Sequence, residues 1–213
     1  MIIRWNGHAC FTVEAKEGRI VTDPFAAEVP YELPPTTADI VTVSHGHFDH
    51  NAADRIQGNP QVVKDAGDHV AAGIAIRGVE SFHDDQQGAE RGANVIFAFT
   101  LEEIRLAHLG DLGTALDDTQ RAALSDVDVL FLPVGGHFTI DASQAAALVR
   151  SLAHVKLAIP MHFKTDRIAD WPIQQVEPFE AMMDNVRRIG SPQVTLTRES
   201  LPEALEVWIL DHA

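Results

Sequence analysis

The run Ser44-His45-Gly46-His47-Phe48-Asp49-His50 places three imidazoles and a carboxylate within six residues. It follows directly on Ile40–Val43, an apolar, β-branched stretch that reads as a strand. In an extended chain His45 and His47 point to the same side, two residues apart. Gly46 lets the backbone turn between them, and Asp49-His50 can then wrap round to a second position. Imidazole and carboxylate without thiolate suit Zn²⁺, and equally Mn²⁺ or Fe²⁺. In chains of this composition the pattern should arise by chance on the order of once per thousand, so a polar turn that happens to hold histidines explains it poorly.

Four donors in so short a run cannot complete two metal shells, so distant donors are expected. The candidates are His83, His108, Asp111, His137 and His162. Val79-Glu80-Ser81-Phe82 precedes His83, Ile104–Ala107 precedes His108, and Ala158-Ile159-Pro160-Met161 precedes His162. Such recurrence is expected when strand ends converge on one site, which is where layered folds gather ligands.

The elements that must do this positioning are mostly short strands. Ile2–Trp5, Phe11–Ala15, Arg19–Thr22 and Ile40–Val43 come first, with a hairpin turn at Glu17-Gly18. Ala75–Val79, Asn94–Thr100, Glu103–Ala107, Val127–Leu132, Leu157–Ile159, Val194–Thr197 and Leu205–Leu210 follow. Asp141 is placed to N-cap a helix running to Ala153, with Ala145, Leu148, Val149 and Leu152 on one stripe. Helical spacing of Phe179, Met182, Met183, Val186 and Ile189 predicts a second helix, opened by Pro178 and ended by Gly190. Shorter helices are expected at Asp118–Leu124 and after His50. Strands covered by a few amphipathic helices imply a layered α/β or α+β domain. The 213 residues carry no linker, repeat or low-complexity segment, so residues 1–213 read as a single domain.

Composition narrows the function. The formal charge is −15, from 31 acidic against 16 basic residues, and no basic block occurs. A nucleic-acid partner is therefore not expected, while a small-molecule substrate met by a local cation is. Cys10 is the only cysteine, so neither an intrachain disulfide nor a thiolate cluster is possible. No apolar stretch is long enough to span a bilayer, so no membrane partner is expected. The start, Met-Ile-Ile-Arg-Trp-Asn-Gly-His, does not have the basic segment and apolar core of a signal peptide, and a cytoplasmic location is expected. Oligomeric state is not legible in the sequence.

His45-Gly46-His47-Phe48-Asp49-His50 resembles the signature of the metallo-β-lactamase-fold superfamily. The remainder looks like its small metal-dependent hydrolase branch, which includes L-ascorbate-6-phosphate lactonase-like and other Zn-dependent hydrolases. The similar segments include Gly7-His8-Ala9, Thr22-Asp23-Pro24-Phe25, Phe82-His83-Asp84-Asp85 and Arg91-Gly92-Ala93-Asn94. His108-Leu109-Gly110-Asp111-Leu112-Gly113, Leu132-Pro133-Val134-Gly135-Gly136 and Ile159-Pro160-Met161-His162-Phe163 continue the likeness in order.

The resemblance implies a four-layer αββα sandwich with two divalent metal ions, Zn with Mn or Fe as alternatives, at one edge. By position His45, His47 and His83 would hold one ion and Asp49, His50 and His162 the other, with Asp111 bridging. Asp49 and Asp111 would be the catalytic carboxylates. Asp23 resembles the buried carboxylate that steadies the metal loop. His108 competes with His83 for a ligand role, and the resemblance favours His83. His8 reads either as a contact near the pocket or as a buried structural hydrogen bond. His137, Arg91 and Lys164 are candidates to touch substrate, with loop exposure or surface ion pairing as the plainer alternatives. The implied reaction is hydrolysis of a small ester, lactone or phosphodiester by a metal-bridging hydroxide. A non-catalytic metal-binding or regulatory protein on the same fold is the alternative.

Overall fold

The computed structural model describes all residues, 1–213, as two β-sheets with few helices. The first sheet combines β1 (Ile2–Gly7), β2 (Cys10–Ala15), β3 (Gly18–Thr22), β4 (Ile40–Thr42), β5 (Gln61–Val63) and β13 (Gln193–Thr195), in the order β13-β1-β2-β3-β4-β5. Its β13, β1, β2 and β3 run antiparallel, and β3, β4 and β5 run parallel. The second sheet combines β6 (Gly67–Ala71), β7 (Ile74–Phe82), β8 (Ala93–Leu101), β9 (Ile104–His108), β10 (Val129–Pro133), β11 (Leu157–Met161), β12 (Val186–Arg188) and β14 (Glu206–Ile209). Its order is β12-β14-β11-β10-β9-β8-β7-β6, parallel from β12 to β9 and antiparallel from β9 to β6.

Two-residue alternation decides which faces meet. Ile3 and Trp5 of β1, Phe11 and Val13 of β2, Ile20 of β3 and Ile40 of β4 all enter the main core. The same core takes Ile96, Phe97 and Phe99 from β8. Strands β10 and β11 are buried along their whole length, as expected for parallel strands covered on both faces. The covering helices lie in their crossovers: α1 (Asp118–Ala123) between β9 and β10, and α2 (Ala142–Ser151) between β10 and β11. Both start with a reciprocal cap. Asp117 accepts from the Gln120 backbone and Asp141 from that of Gln144, and each glutamine side chain returns a bond. The stripe predicted for α2 is buried, with Ala145, Leu148 and Val149 in the core.

Val21, Val41 and Cys10 face the other way, into a smaller core. Phe25, Val29, Tyr31, Ile56, Ile168 and Ile173 close that core from loops. The outer layer on this side is thus built from coil and short 3-10 turns. One of these, Ala53–Arg55, stands where a helix after His50 was expected.

The helix expected over Pro178–Ile189 does not form. Helix α3 spans only Glu177–Glu180, and Val186–Arg188 become edge strand β12, paired with Val207–Ile209 of β14. Asp184 and Asn185 are poor helix formers. The Asn185 carbonyl accepts from Val207 N at 2.8 Å, which starts the strand pairing instead. Arg188 then ties the strand to α3 by ion pairs to Glu177 and Glu180. Strands β5 and β6 were not expected at all; both are short and mostly exposed, with only Val63 and Ala71 buried. No helix is long and apolar enough to cross a membrane.

Candidate metal centre

The donor-bearing segments all leave strand ends. The Ser44–His50 run follows β4, His83 follows β7, Asp111 follows β9, and His162 follows β11. Strands β7 and β9 both run antiparallel to β8 between them, so their carboxyl ends share one edge. His8 sits in the β1–β2 turn, and its carbonyl accepts from His162 N at 3.1 Å, which joins the two sheets at the site. Val95 N donates to the Ser44 carbonyl at 2.8 Å and makes a second such link.

Close approach of these loops depends on two glycines. A Cβ on Gly113 would lie 2.3 Å from the His83 backbone, and one on Gly135 would lie 2.1 Å from the His162 carbonyl. Left-handed backbone occurs at three site residues that are not glycine: His8 (φ 53), Asp23 (φ 40) and His162 (φ 51). Such conformations persist where surrounding structure over-determines them, and they gather at functional sites.

The ring nitrogens and carboxylate oxygens form overlapping groups. His45, His47 and His83 make one, His8, Asp49, His50 and His162 a second, and His45, His50 and Asp111 a third, each with its donor atoms within 4.8 Å of one another. Asp111 lies at the centre. Its Oδ2 is 3.2 Å from Nε2 of His50, of His83 and of His162, and 3.9 Å from Nε2 of His45. Its Oδ1 is buried and has no partner at all, and neither does Nε2 of His45. Hydrogen bonding alone would spread donors over both oxygens. Donors bound to one cation at about 2.0–2.1 Å stand about 3.3 Å apart in a tetrahedral shell. The 3.2 Å separations around Asp111 match that spacing. The residues present therefore fit divalent cations.

A buried carboxylate orients this set. Asp23 accepts from Ser44 N (2.7 Å), Ser44 Oγ (2.5 Å) and His50 Nδ1 (2.9 Å). Holding Nδ1–H on Asp23 is the arrangement that would leave His50 Nε2 free to ligate a cation. Ser44 Oγ also lies 3.0 Å from His45 Nδ1. Asn94 fixes the Asp111 loop by accepting from Asp111 N at 3.0 Å and donating to the Leu109 carbonyl at 2.9 Å. Ser44 and Asn94 were not singled out from the sequence. The signal available was a polar residue at the end of an apolar strand and another inside one.

Burial and neighbouring charge set the protonation states. Burial, reinforced by His162, pulls His8 down to about 4; burial, reinforced by His50, pulls His45 down to about 3. Burial also opposes a charge on His50, but the Asp111 and Asp23 carboxylates outweigh it and raise its pKa well above the usual value. For Asp111 burial favours the neutral acid, and His162 and His50 overcome that and hold it ionised. Asp23 stays ionised in the same way, through the bond from His50 and the nearby His108.

The remaining candidates divide. His108 Nε2 lies 2.8 Å from the Ala9 carbonyl and its Nδ1 accepts from Gly110 N at 3.2 Å, so both ring nitrogens are occupied. It packs between Phe11 and Phe131 and acts as a buried strut. His8 is fully buried, with Nε2 3.1 Å from Asp49 Oδ2 and 3.2 Å from His50 Nε2. It therefore touches donor residues and does not line the cavity.

That cavity, of ≈ 490 Å³, opens over His47, Asp49, His83, Asp111 and His162. Phe48, Phe138, Trp171 and Pro172 wall it, with Arg91 and Asp170. His137 is exposed and only its neighbour Phe138 reaches the cavity, because a left-handed residue (φ 60) turns the loop there. Lys164 lines a different groove, beside Thr165, Asp166 and His212, because its backbone is pinned to Gln174 at 2.8 Å. The sequence-based expectations for His137 and Lys164 as substrate contacts are thus not met by their placement. Asp84 collects backbone N–H bonds from Gln86, Gly88, Glu90 and Arg91, and so shapes the loop that carries Arg91.

Residues 2–162 match the family model described as the beta-lactamase superfamily domain. A Thermotoga maritima structure, classed as a Zn-dependent hydrolase of the metallo-β-lactamase superfamily, superposes with a TM-score of 0.84 at 36% identity, covering 100% of this chain and 99% of that one. A UPF0173 metal-dependent hydrolase of Methanopyrus kandleri is 31% identical over 78% of this chain and 85% of its own length. One from Pyrobaculum islandicum is 29% identical over 89% and 94%. With the fold, the convergent donors and these relatives agreeing, the chain belongs to the metallo-β-lactamase superfamily and is one of its metal-dependent hydrolases.

Proposed function

We propose that the protein hydrolyses a small ester, lactone or phosphodiester with two divalent cations, most simply Zn²⁺, with Mn²⁺ or Fe²⁺ suiting the same donors. His45, His47 and His83 hold one, Asp49, His50 and His162 hold the other, and Asp111 is shared. The observation that carries this reading is the placement of Asp111 Oδ2 at 3.2 Å from ring nitrogens of both groups, His83 on one side and His50 and His162 on the other.

Two cations in such a site supply a water acidic enough to attack near neutral pH and a Lewis acid for the scissile oxygen. The protein supplies the rest. Asp23 and Ser44 hold His50 and His45 in register before substrate arrives. Asp49 reaches the cavity and its side chain is 14% exposed, so a proton taken there can leave to solvent. Asp111 is 3% exposed and crowded by nitrogens on Oδ2, which suits holding rather than shuttling. A cavity of ≈ 490 Å³ is of a size to take one small molecule. The charge of −15 fits a small-molecule substrate and no nucleic-acid partner.

Metal analysis should give about two cations per chain, and Asp111→Ala should lose both. Turnover across a panel of esters, lactones and phosphodiesters should fall on the order of a thousandfold or more in that variant. One cation per chain in the wild type, or an Asp111→Ala protein active within tenfold, would sink the shared-carboxylate reading.

A further inference from the structure

Arg91 is the only lysine or arginine in the cavity wall. Its guanidinium lies 5.8 Å from the Phe138 ring centroid, and its side chain is 32% exposed. The one carboxylate within ion-pair range is Glu90, at 3.7 Å, and that side chain is 61% exposed. No hydrogen bond inside the protein uses the guanidinium, although it carries five N–H donors. Its backbone, in contrast, is fixed: Arg91 N donates to Asp84 at 2.7 Å, one of four such bonds on that carboxylate. A cation held on a rigid loop with its donors unspent, in a protein of charge −15, is placed for a ligand.

The rest of the wall says what that ligand looks like. Phe48 is 57% exposed although it sits inside the metal-binding run. Together with Phe138, Trp171 and Pro172 it gives the cavity an apolar, largely aromatic lining. Asp170, exposed beside Trp171, disfavours an anion next to it and leaves Arg91 as the cation of the wall.

We infer that the substrates are small amphipathic anions: esters or lactones with a flat apolar body packed on the aromatic wall and an acidic group paired with Arg91. This rests on the hydrolase reading above, and adds to it a residue that selects substrate. In the reaction, water adds to the acyl carbon, the C–O bond to the alcohol breaks, and the products are a carboxylate, an alcohol and one released proton. Arg91 takes no part in those bond changes and holds the spectator anion.

The test uses the isolated metal-bearing protein and two matched pairs. For turnover the pair is the 4-nitrophenyl monoester of succinic acid against 4-nitrophenyl butyrate. For binding it is benzenesulfonate against methyl phenyl sulfone, read by tryptophan fluorescence. Wild type should favour the anionic member of each pair by about tenfold or more, the worth of a charge-assisted bond. Arg91→Gln should bring both ratios close to one, with the turnover loss in KM rather than kcat, and Arg91→Lys should keep part of each preference. Equal handling of both members by wild type, or ratios unchanged in Arg91→Gln, would overturn the inference. If neither ester turns over, the ester reading fails while the binding pair still decides the role of Arg91.

Discussion

The two donor groups meet on Asp111 but are built differently. His8, His50 and His162 are at most 1% exposed, and the side chain of their partner Asp49 is 14% exposed. His50 is locked by Asp23, and the His162 backbone is tied to His8. In the other group His45 leans on Ser44 and His83 is buried, but His47 stands exposed at the cavity mouth. Nδ1 is without a partner in His83 and in His162 alike, so the contrast rests on His47. One group is thus assembled by the fold itself, while the other is finished by a residue on an open loop. On the two-cation reading proposed above, the difference implies unequal hold: the inner cation should be bound first and released last, because less order has to be created to bind it.

The sharpest way to break that comparison is His47→Ala. Metal content should fall from about two to about one per chain, and hydrolysis should drop on the order of a hundredfold, while the melting temperature moves little. Loss of both cations would mean that the outer group supports the inner one and the asymmetry is wrong. Asp23→Ala attacks the other side. His50 and the Ser44 backbone and hydroxyl would lose their acceptor in a fully buried place. Affinity for the inner cation should fall about 10- to 100-fold, with a loss of about 3 kcal/mol in stability. Competition with a chelator would resolve the two cations, and a variant that keeps the wild-type affinity for the inner cation while its affinity for the outer one falls would contradict the assignment.

Acid gives a third handle, applied to metal-free protein. His8 and His45 have folded pKa values of about 4 and about 3 against an ordinary 6.5. The unfolded chain therefore binds more protons than the folded one across that interval, and stability must fall as pH drops from about 6.5 towards 4. For His8 alone the span is worth on the order of 3 kcal/mol. His50 acts in the opposite sense: its raised pKa stabilises below 6.5, and that contribution fades as pH rises through the folded value. Metal-free protein should thus melt highest near pH 6.5. A melting temperature rising steadily from pH 6.5 down to 4 would show that the buried imidazoles are already charged.

The donors were legible because each interrupts an apolar run: His83 after β7, Asp111 just beyond β9, His162 after β11. A polar, metal-ligating residue at such a place has no packing reason to be there. The strands around them were legible for the matching reason, since alternation or continuous burial writes their faces into the sequence. What escaped was context. Phe179, Met183, Val186 and Ile189 have helical spacing, yet only Phe179 is fully buried, and pairing with β14 decides the conformation after Asn185. The cavity wall escaped too. Phe48, Phe138 and Trp171 come from three distant loops, and an apolar loop residue looks the same whether it caps a core or greets a ligand.

The smallest expected effect tests where the site ends. His137 and Lys164 share sequence credentials with the donors, since each lies within a few residues of a strand's carboxyl end. Yet His137 is exposed, with its ring against Phe138 at 4.4 Å, and Lys164 belongs to a separate groove that it lines with Trp5 and Phe163. Neither shares a contact with the donor set, so His137→Ala and Lys164→Ala should keep metal content and hold kcat/KM within about twofold, as surface changes away from special features do. A large loss in His137→Ala would mean that the loop after Gly136 swings its histidine inward when substrate is bound. The outer, open group would then be completed by a moving residue, and its contrast with the preassembled inner group would be wider than the distances alone imply.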